Sequence, residues 1–314
     1  MKAAQIAVVL FGPEGKGSFN ESGLAGAERA RALGHEVAVH WVEPVSTDER
    51  ARALRAICAT SSPDLLVAHG GQGDLPVAAV HGEFPGTQFA ITQGGFTGFN
   101  TASVEVLQEQ SAFLAGVLAG LATTSGVVGH LSGEKVRPGL KGRAAFAHGL
   151  RASGRPCRFL TLFCGGQHDP ELAYRAASAL QRAGADLVFA MIDGGRAGVS
   201  QACREGPMKQ IGNVLDWVAR DPEVFVASAV ADSGRCVTSA IDDFVHGRLT
   251  PGSHRAVGLE SPDAVRLVMA PSWETRFGSE IESFRNRLLK GDLSLQTEYD
   301  GEEFDWQDAQ IGAS

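Results

Sequence analysis

Short β-branched runs alternate with amphipathic helical stretches along this chain, and a glycine-rich turn follows many of the runs. Strands separated by helices read as βαβ units, which build parallel sheets with helices on both faces. Strands are expected over 6–11, 36–42, 64–68, 88–92, 126–131, 158–163, 187–191, 210–213 and 224–229. Helices are expected over 21–33, 48–59, 107–122, 139–152, 170–183, 198–204, 233–246 and 273–290. Gly34 is the expected C-cap of the first helix, and Ser46 or Thr47 the N-cap of the second. The rhythm restarts near Thr123–Ser125 without any residue-level repeat. With 314 residues, about two domains are expected at roughly 100–200 residues each. The expected fold class is therefore α/β, two doubly wound lobes with parallel sheets.

Composition narrows the function. Lys and Arg number 28 against 36 Asp and Glu, a net charge of −8, so the chain lacks the basic footprint of a nucleic-acid binder. The acidic residues Asp292, Glu298, Asp300, Glu302, Glu303, Asp305 and Asp308 gather near the C-terminus and read as a solvated tail. Five cysteines, an odd number without C-x-x-C spacing, indicate neither a zinc site nor a disulfide framework; they read as small buried apolar residues. The apolar stretch 113–124 is shorter than the ~18 residues that a membrane helix needs. The run 6–10 is strand-length rather than a secretory core. The expectation is a mature segment whose export signal has been removed, or else a cytosolic protein.

Open parallel sheets bind ligands at the carboxyl ends of their strands, so the turns after the strands carry the functional information. These turns are 12–20, 69–74, 93–99, 164–168, 192–196 and 214–217, where polar and aromatic residues sit among glycines that allow close backbone approach. Familiar catalytic motifs fail. The 12–18 turn lacks the G-x-x-x-x-G-K-[ST] spacing, and Asn20 stands where G-x-G-x-x-G needs its third glycine. No G-x-S-x-G elbow occurs, and the nine histidines show no metal-binding pair. Neither an enzyme nor a metal or other cofactor is expected. An enzymatic reading would have to use His69 or His168 as a base.

Several stretches, in order over roughly residues 6 to 295, resemble the basic membrane protein (BMP) family, the PnrA-like purine-nucleoside-binding proteins of ABC transporters. They are Ser18-Phe19-Asn20-Glu21-Ser22 with Gly26, Phe113 to Gly120 with Gly126 to Gly129, Gly184 to Phe189, and Ile211-Gly212 with Asp216. The resemblance implies a type I periplasmic-binding-protein-like fold, with the lobes joined by a multi-segment hinge and the ligand in the interlobe cleft. One lobe would comprise 1–123 plus roughly 231–258, the other 124–230 plus roughly 259–314. It also implies an exported lipoprotein, a monomer, that hands a purine nucleoside or related heterocycle to an ABC permease. A ligand-sensing regulator that stays in the cytosol is the alternative.

Candidate ligand-binding residues follow position by position. Phe19 would stack on a heterocycle or anchor its helix; Asn20 would read a base edge or cap the helix; Asp216 would accept from ribose hydroxyls or cap a helix. His69, Gln93, Asp193, Gly194, Arg196 and Trp217 complete the set. The chain departs from the family pattern where Gln93 replaces a base-reading aspartate, Lys16 replaces the first-loop aspartate, Ala231 stands for a lysine and Trp217 for a glutamine. An amide both donates and accepts where an ionised carboxylate only accepts. The hydrogen-bond code of the site is expected to differ accordingly.

Overall fold

The computed structural model describes residues 4–15, 18–43 and 46–307; Lys16 lies outside them. In chain order the elements are β1 (Ile6–Phe11), α1 (Ser18–Ala32), β2 (Val37–Val42), α2 (Thr47–Ser61), β3 (Leu65–His69), α3 (Asp74–Val80), β4 (Gln88–Thr92), β5 (Thr101–Val106) and α4 (Gln108–Ala122). There follow β6 (Val127–Ser132), α5 (Arg137–Ala152), β7 (Arg158–Phe163), α6 (Pro170–Arg182), β8 (Leu187–Met191), α7 (Arg196–Glu205) and β9 (Lys209–Val214). The last are β10 (Phe225–Ala231), α8 (Gly234–Val245), β11 (His254–Val257), β12 (Val265–Met269) and α9 (Pro271–Leu289). The chain divides into two compact units, Met1–Val106 with Asp232–Val257, and Leu107–Ala231 with Gly258–Ser314.

The first unit is a parallel sheet of order β11-β5-β4-β3-β1-β2. Alternate residues of β1, Ala7, Val9 and Phe11, pack with Leu54 of α2 and with Val77 and Val80 of α3. α1 and α8 pack together, and α8 lies against β3, β4 and β5. Their crossing is close: a Cβ on Gly26 would strike the Gly234 carbonyl, and one on Gly234 the Ser22 carbonyl. β4 reaches its parallel neighbour β5 through residues 93–100 without a helix. Such crossovers usually need a dozen or more residues. At Gly94 a side chain would meet Asp74 and Ile91, so the glycines of this turn serve a cramped connection.

The second unit repeats the strand order, β12-β10-β9-β8-β6-β7, with β12 antiparallel to β10 and the other pairs parallel. Leu131, Leu160, Leu162 and Val188 from the sheet meet Ala173, Ala177 and Leu180 of α6 and Val199 of α7 in one core cluster. α4 is buried around its whole circumference from Ser111 to Gly120. It crosses α5 so closely that a Cβ on Gly116 would collide with the Phe146 carbonyl, and one on Gly149 with that of Phe113.

Three expectations need correction. The expected boundary near 123 gives way to one at Val106/Leu107, because α4 packs on α5, β10, β12 and α9 of the second unit. The acidic C-terminal stretch keeps its described carboxylates exposed, as expected, but it is docked rather than a free tail; Asp308 lies outside the described residues. The Phe304 N–H bonds the Thr161 carbonyl of edge strand β7 at 2.7 Å, Glu303 pairs with Lys135 and Arg143, each at 2.9 Å, and Trp306 is buried in the core. α1 begins at Ser18 rather than 21, which places Phe19 and Asn20 in its first turn. α3, β5, β11 and β12 had no counterpart among the expected elements. In β5 a charged residue interrupts the apolar run: Glu105 is buried and meets His254 of β11 at 3.1 Å.

Candidate functional site

In the first unit the candidate residues lie at the carboxyl ends of β1, β3 and β4. His69 ends β3, wholly buried beneath Gly23 of α1, where any Cβ would strike its ring. Its Nε2 is 3.0 Å from the Phe19 carbonyl and its Nδ1 2.8 Å from Thr92 Oγ1. A carbonyl only accepts, so Nε2 carries the proton and Nδ1 accepts from the Thr92 hydroxyl. Thr92 Oγ1 in turn accepts the Gly70 N–H at 3.1 Å. Burial drives the imidazole pKa down to about 4, against the opposing pull of the Phe19 carbonyl and Asp232. The Phe19 ring stacks on this neutral imidazole at 4.3 Å and 23°. His69 is thus a support for Phe19 and α1, too deeply covered to serve as a solvent-facing base.

Asn20 and Gln93 both bond backbone groups. The Asn20 amide donates to the Phe11 carbonyl at 2.9 Å and ties α1 to the end of β1. Gln93 lies just past β4 with φ +58°. Its Oε1 accepts the Val106 N–H at 2.6 Å, its Nε2 donates to the Val106 carbonyl at 3.0 Å, and its own N–H bonds the Val104 carbonyl at 3.0 Å.

In the second unit the loops after β8 and β9 come together. Arg196, the first residue of α7, is buried and donates to the carbonyls of Ala190 and Ile192 and to Asn213 Oδ1. Burial lowers its pKa to about 10, which leaves it charged at neutral pH. Its guanidinium lies 4.6 Å from the Trp217 ring centre, Arg220 lies 5.2 Å away, and Phe225 stacks on the same indole at 5.4 Å. Asp193 is buried, and its carbonyl accepts the Arg196 N–H at 3.0 Å. The Gly194 N–H points to His168 Nδ1 at 3.4 Å. Asp216 is half-buried beside Trp217, and its Oδ1 accepts the Ala219 N–H at 3.2 Å.

Two residues that sequence reasoning passed over organise this cluster. Val214 has φ +69°, and the Leu215 N–H returns to the Asn213 carbonyl at 2.9 Å, a γ-turn of the strained hand. The same carbonyl accepts the Trp217 indole N–H at 3.0 Å. A β-branched residue at positive φ is a sterically costly exception, so composition gives no warning of it. Among the described residues, no group of three or more His, Cys, Asp or Glu is placed to hold a metal ion.

The family model for PnrA-like ABC transporter substrate-binding proteins (Bmp) matches residues 3–295. The chain belongs to the Bmp family. A purine-binding protein of Brucella abortus is 22% identical over 232 residues, 73% of this chain and 65% of that protein; the match thus falls short of two thirds of the relative's length. A transcriptional activator protein of Bacillus subtilis is 22% identical over 220 residues, 70% of this chain and 68% of its own. Among solved structures, an ABC transporter solute-binding protein from Aeropyrum pernix superposes with a TM-score of 0.81 at 20% identity, covering 98% of both chains. A sugar transporter structure from Clostridium phytofermentans, at TM-score 0.65 and 14% identity, covers 86% of this chain and 100% of its own. These likenesses show the type I periplasmic-binding-protein fold. In this Bmp chain the Phe113–Gly120 segment, the strongest part of the resemblance, serves the α4–α5 crossing rather than a ligand.

Proposed function

We propose that this protein is the substrate-binding component of an ABC importer that captures a purine nucleoside or nucleobase, closes on it by hinge motion and delivers it to a membrane permease. The observation that carries the reading is the loop after β9, which sets a carboxylate, Asp216, beside an immobilised indole, Trp217. The carboxylate offers an acceptor for hydroxyl or N–H groups, and the indole, engaged by Phe225, Arg196 and Arg220, fixes the loop that carries it. Phe19 on its His69 support offers an aromatic ring for a heterocycle in the first unit. Membership of a substrate-binding family and the purine-binding relative support the same reading. The solute would leave chemically unchanged, and the working location would be outside the cytoplasm.

The test is a thermal-shift screen of nucleosides, nucleobases and sugars, followed by calorimetric titration of the hits. A solute at 100 times its dissociation constant stabilises the native state by about 2.7 kcal/mol. Asp216→Ala should weaken a nucleoside hit about tenfold or more, the scale of one lost hydrogen bond to a charged group. Wild-type affinity in that variant would remove Asp216 from the site, and a screen with sugar hits alone would overturn the purine assignment.

The second reading, a ligand-sensing regulator, is favoured by the transcriptional activator among the relatives and by a further one, from Bacillus halodurans, among the solved structures at TM-score 0.70. The coding sequence upstream separates the two. A signal peptide with a lipobox cysteine establishes export, whereas cytosolic recovery of the intact native protein establishes the regulator.

A further inference from the structure

Gln93 was a candidate reader of the ligand, yet its three bonds all run to β5. The register explains them. Thr92, the last residue of β4, lies opposite Val104, so a continued strand would next present a peptide group to Val106. The chain instead turns away at Gln93, with φ +58°, and the side-chain amide takes the place of the missing peptide. It accepts the Val106 N–H and donates to the Val106 carbonyl, as a neighbouring strand would. The residue is 2% exposed. Glutamine has both a donor and an acceptor and so answers both halves of this position, whereas an ionised carboxylate answers only the Val106 N–H.

Val106 occupies a particular place. It is the last residue of the first unit before the chain passes into the second. On its other side it is in register with Val257 of β11, the last residue of the unit's second stretch. Two of the three passages between the units therefore leave from adjacent strand ends, and Gln93 clamps one of them. We propose that Gln93 is a positioning residue for this pair of passages, fixing where the chain leaves the first unit, and that it influences solute capture through them rather than by touching the solute. The influence on capture rests on the transport reading above; the clamp itself does not.

The experiment is residue-resolved amide exchange on the full chain for wild type, Gln93→Leu and Gln93→Glu, with guanosine titration on the same samples. Gln93→Leu removes both bonds and should speed exchange at Val106 by about tenfold or more, while amides in β1 and β3 stay as in wild type. Gln93→Glu keeps an acceptor for the Val106 N–H and should hold its exchange close to wild type, even if Gln93→Leu fails to fold. Unchanged Val106 exchange in Gln93→Leu, loss of protection spread uniformly over the sheet, or Val106 exchange in Gln93→Glu raised about tenfold would each overturn the clamp. If wild type binds guanosine, Gln93→Leu should weaken it about tenfold. Weakening with Val106 exchange unchanged would instead make Gln93 a direct contact and overturn the proposal. If wild type ignores guanosine, the nucleoside reading fails while the exchange pattern still decides the clamp.

Discussion

His69 in the first unit and His130 in the second both stand on strands with no exposed surface. His130 bonds Thr161 Oγ1 at 2.9 Å among Phe159, Phe163 and Phe189, and burial, aided by Arg143, drives its pKa down to about 3. An imidazole whose pKa falls from 6.5 in the unfolded chain to about 4 in the fold takes up its proton more readily when unfolded. Its contribution is complete above the unfolded pKa and is lost as pH falls from 6.5 towards 4 for His69, and on towards 3 for His130. For His69 the loss should be on the order of 3 kcal/mol. Urea midpoints should therefore drop between pH 7 and pH 5, and His130→Phe should show a smaller drop; an equal drop would exonerate His130. At this scale the sequence was only partly legible. Phe19 and Trp217 stand out as aromatic residues in strand-end turns. That Gln93, Arg196 and Asn20 are engaged with backbone groups was not readable, because a side chain that replaces a peptide group leaves the same letter as one that faces solvent.

Helix crossings and the C-terminal strap carry the element-scale expectations. Gly116 and Gly149 let α4 and α5 approach until backbone meets backbone. Gly149→Ala should force the helices apart and cost about 3 kcal/mol, the upper range for overpacking. Gly82→Ala, with open space around the new methyl, is the control and should move the melting temperature little. Trp306→Ala removes a core indole from the strap and should destabilise by about 3–5 kcal/mol, read as a lower denaturation midpoint. Most strands and helices were legible from periodicity. The strap was not, because its acidic residues dominate the pattern, while the residues that bind it to the second unit are isolated: Glu303, Phe304 and Trp306.

The chain passes between its two units at 106/107, 231/232 and 257/258. Neither unit is a continuous stretch, and the strand pairing shows what this means for folding. β12 lies beyond the last passage, yet it pairs with β10, which lies before the second. A fragment 107–231 lacks β12, α9 and the strap, so it should show no cooperative unfolding transition. Joining 258–307 to it through a short Gly-Ser linker should restore one, as circular dichroism melts would reveal; a cooperative melt from 107–231 alone would refute this dependence. Two α/β lobes were legible because the strand–helix rhythm runs twice. Their boundary was misplaced because α4, an apolar helix without a polar face, gives no sign of which sheet it will cover.

Trp217 is held at its indole N–H by the Asn213 carbonyl, flanked by two guanidinium groups and stacked on Phe225. Emission from an indole so placed responds to small changes in nearby charge. The protein consequently carries its own optical gauge. A cargo molecule that nudges Arg196 or Arg220 would alter the colour or yield of tryptophan fluorescence, and its arrival could be timed by stopped flow without attaching any dye.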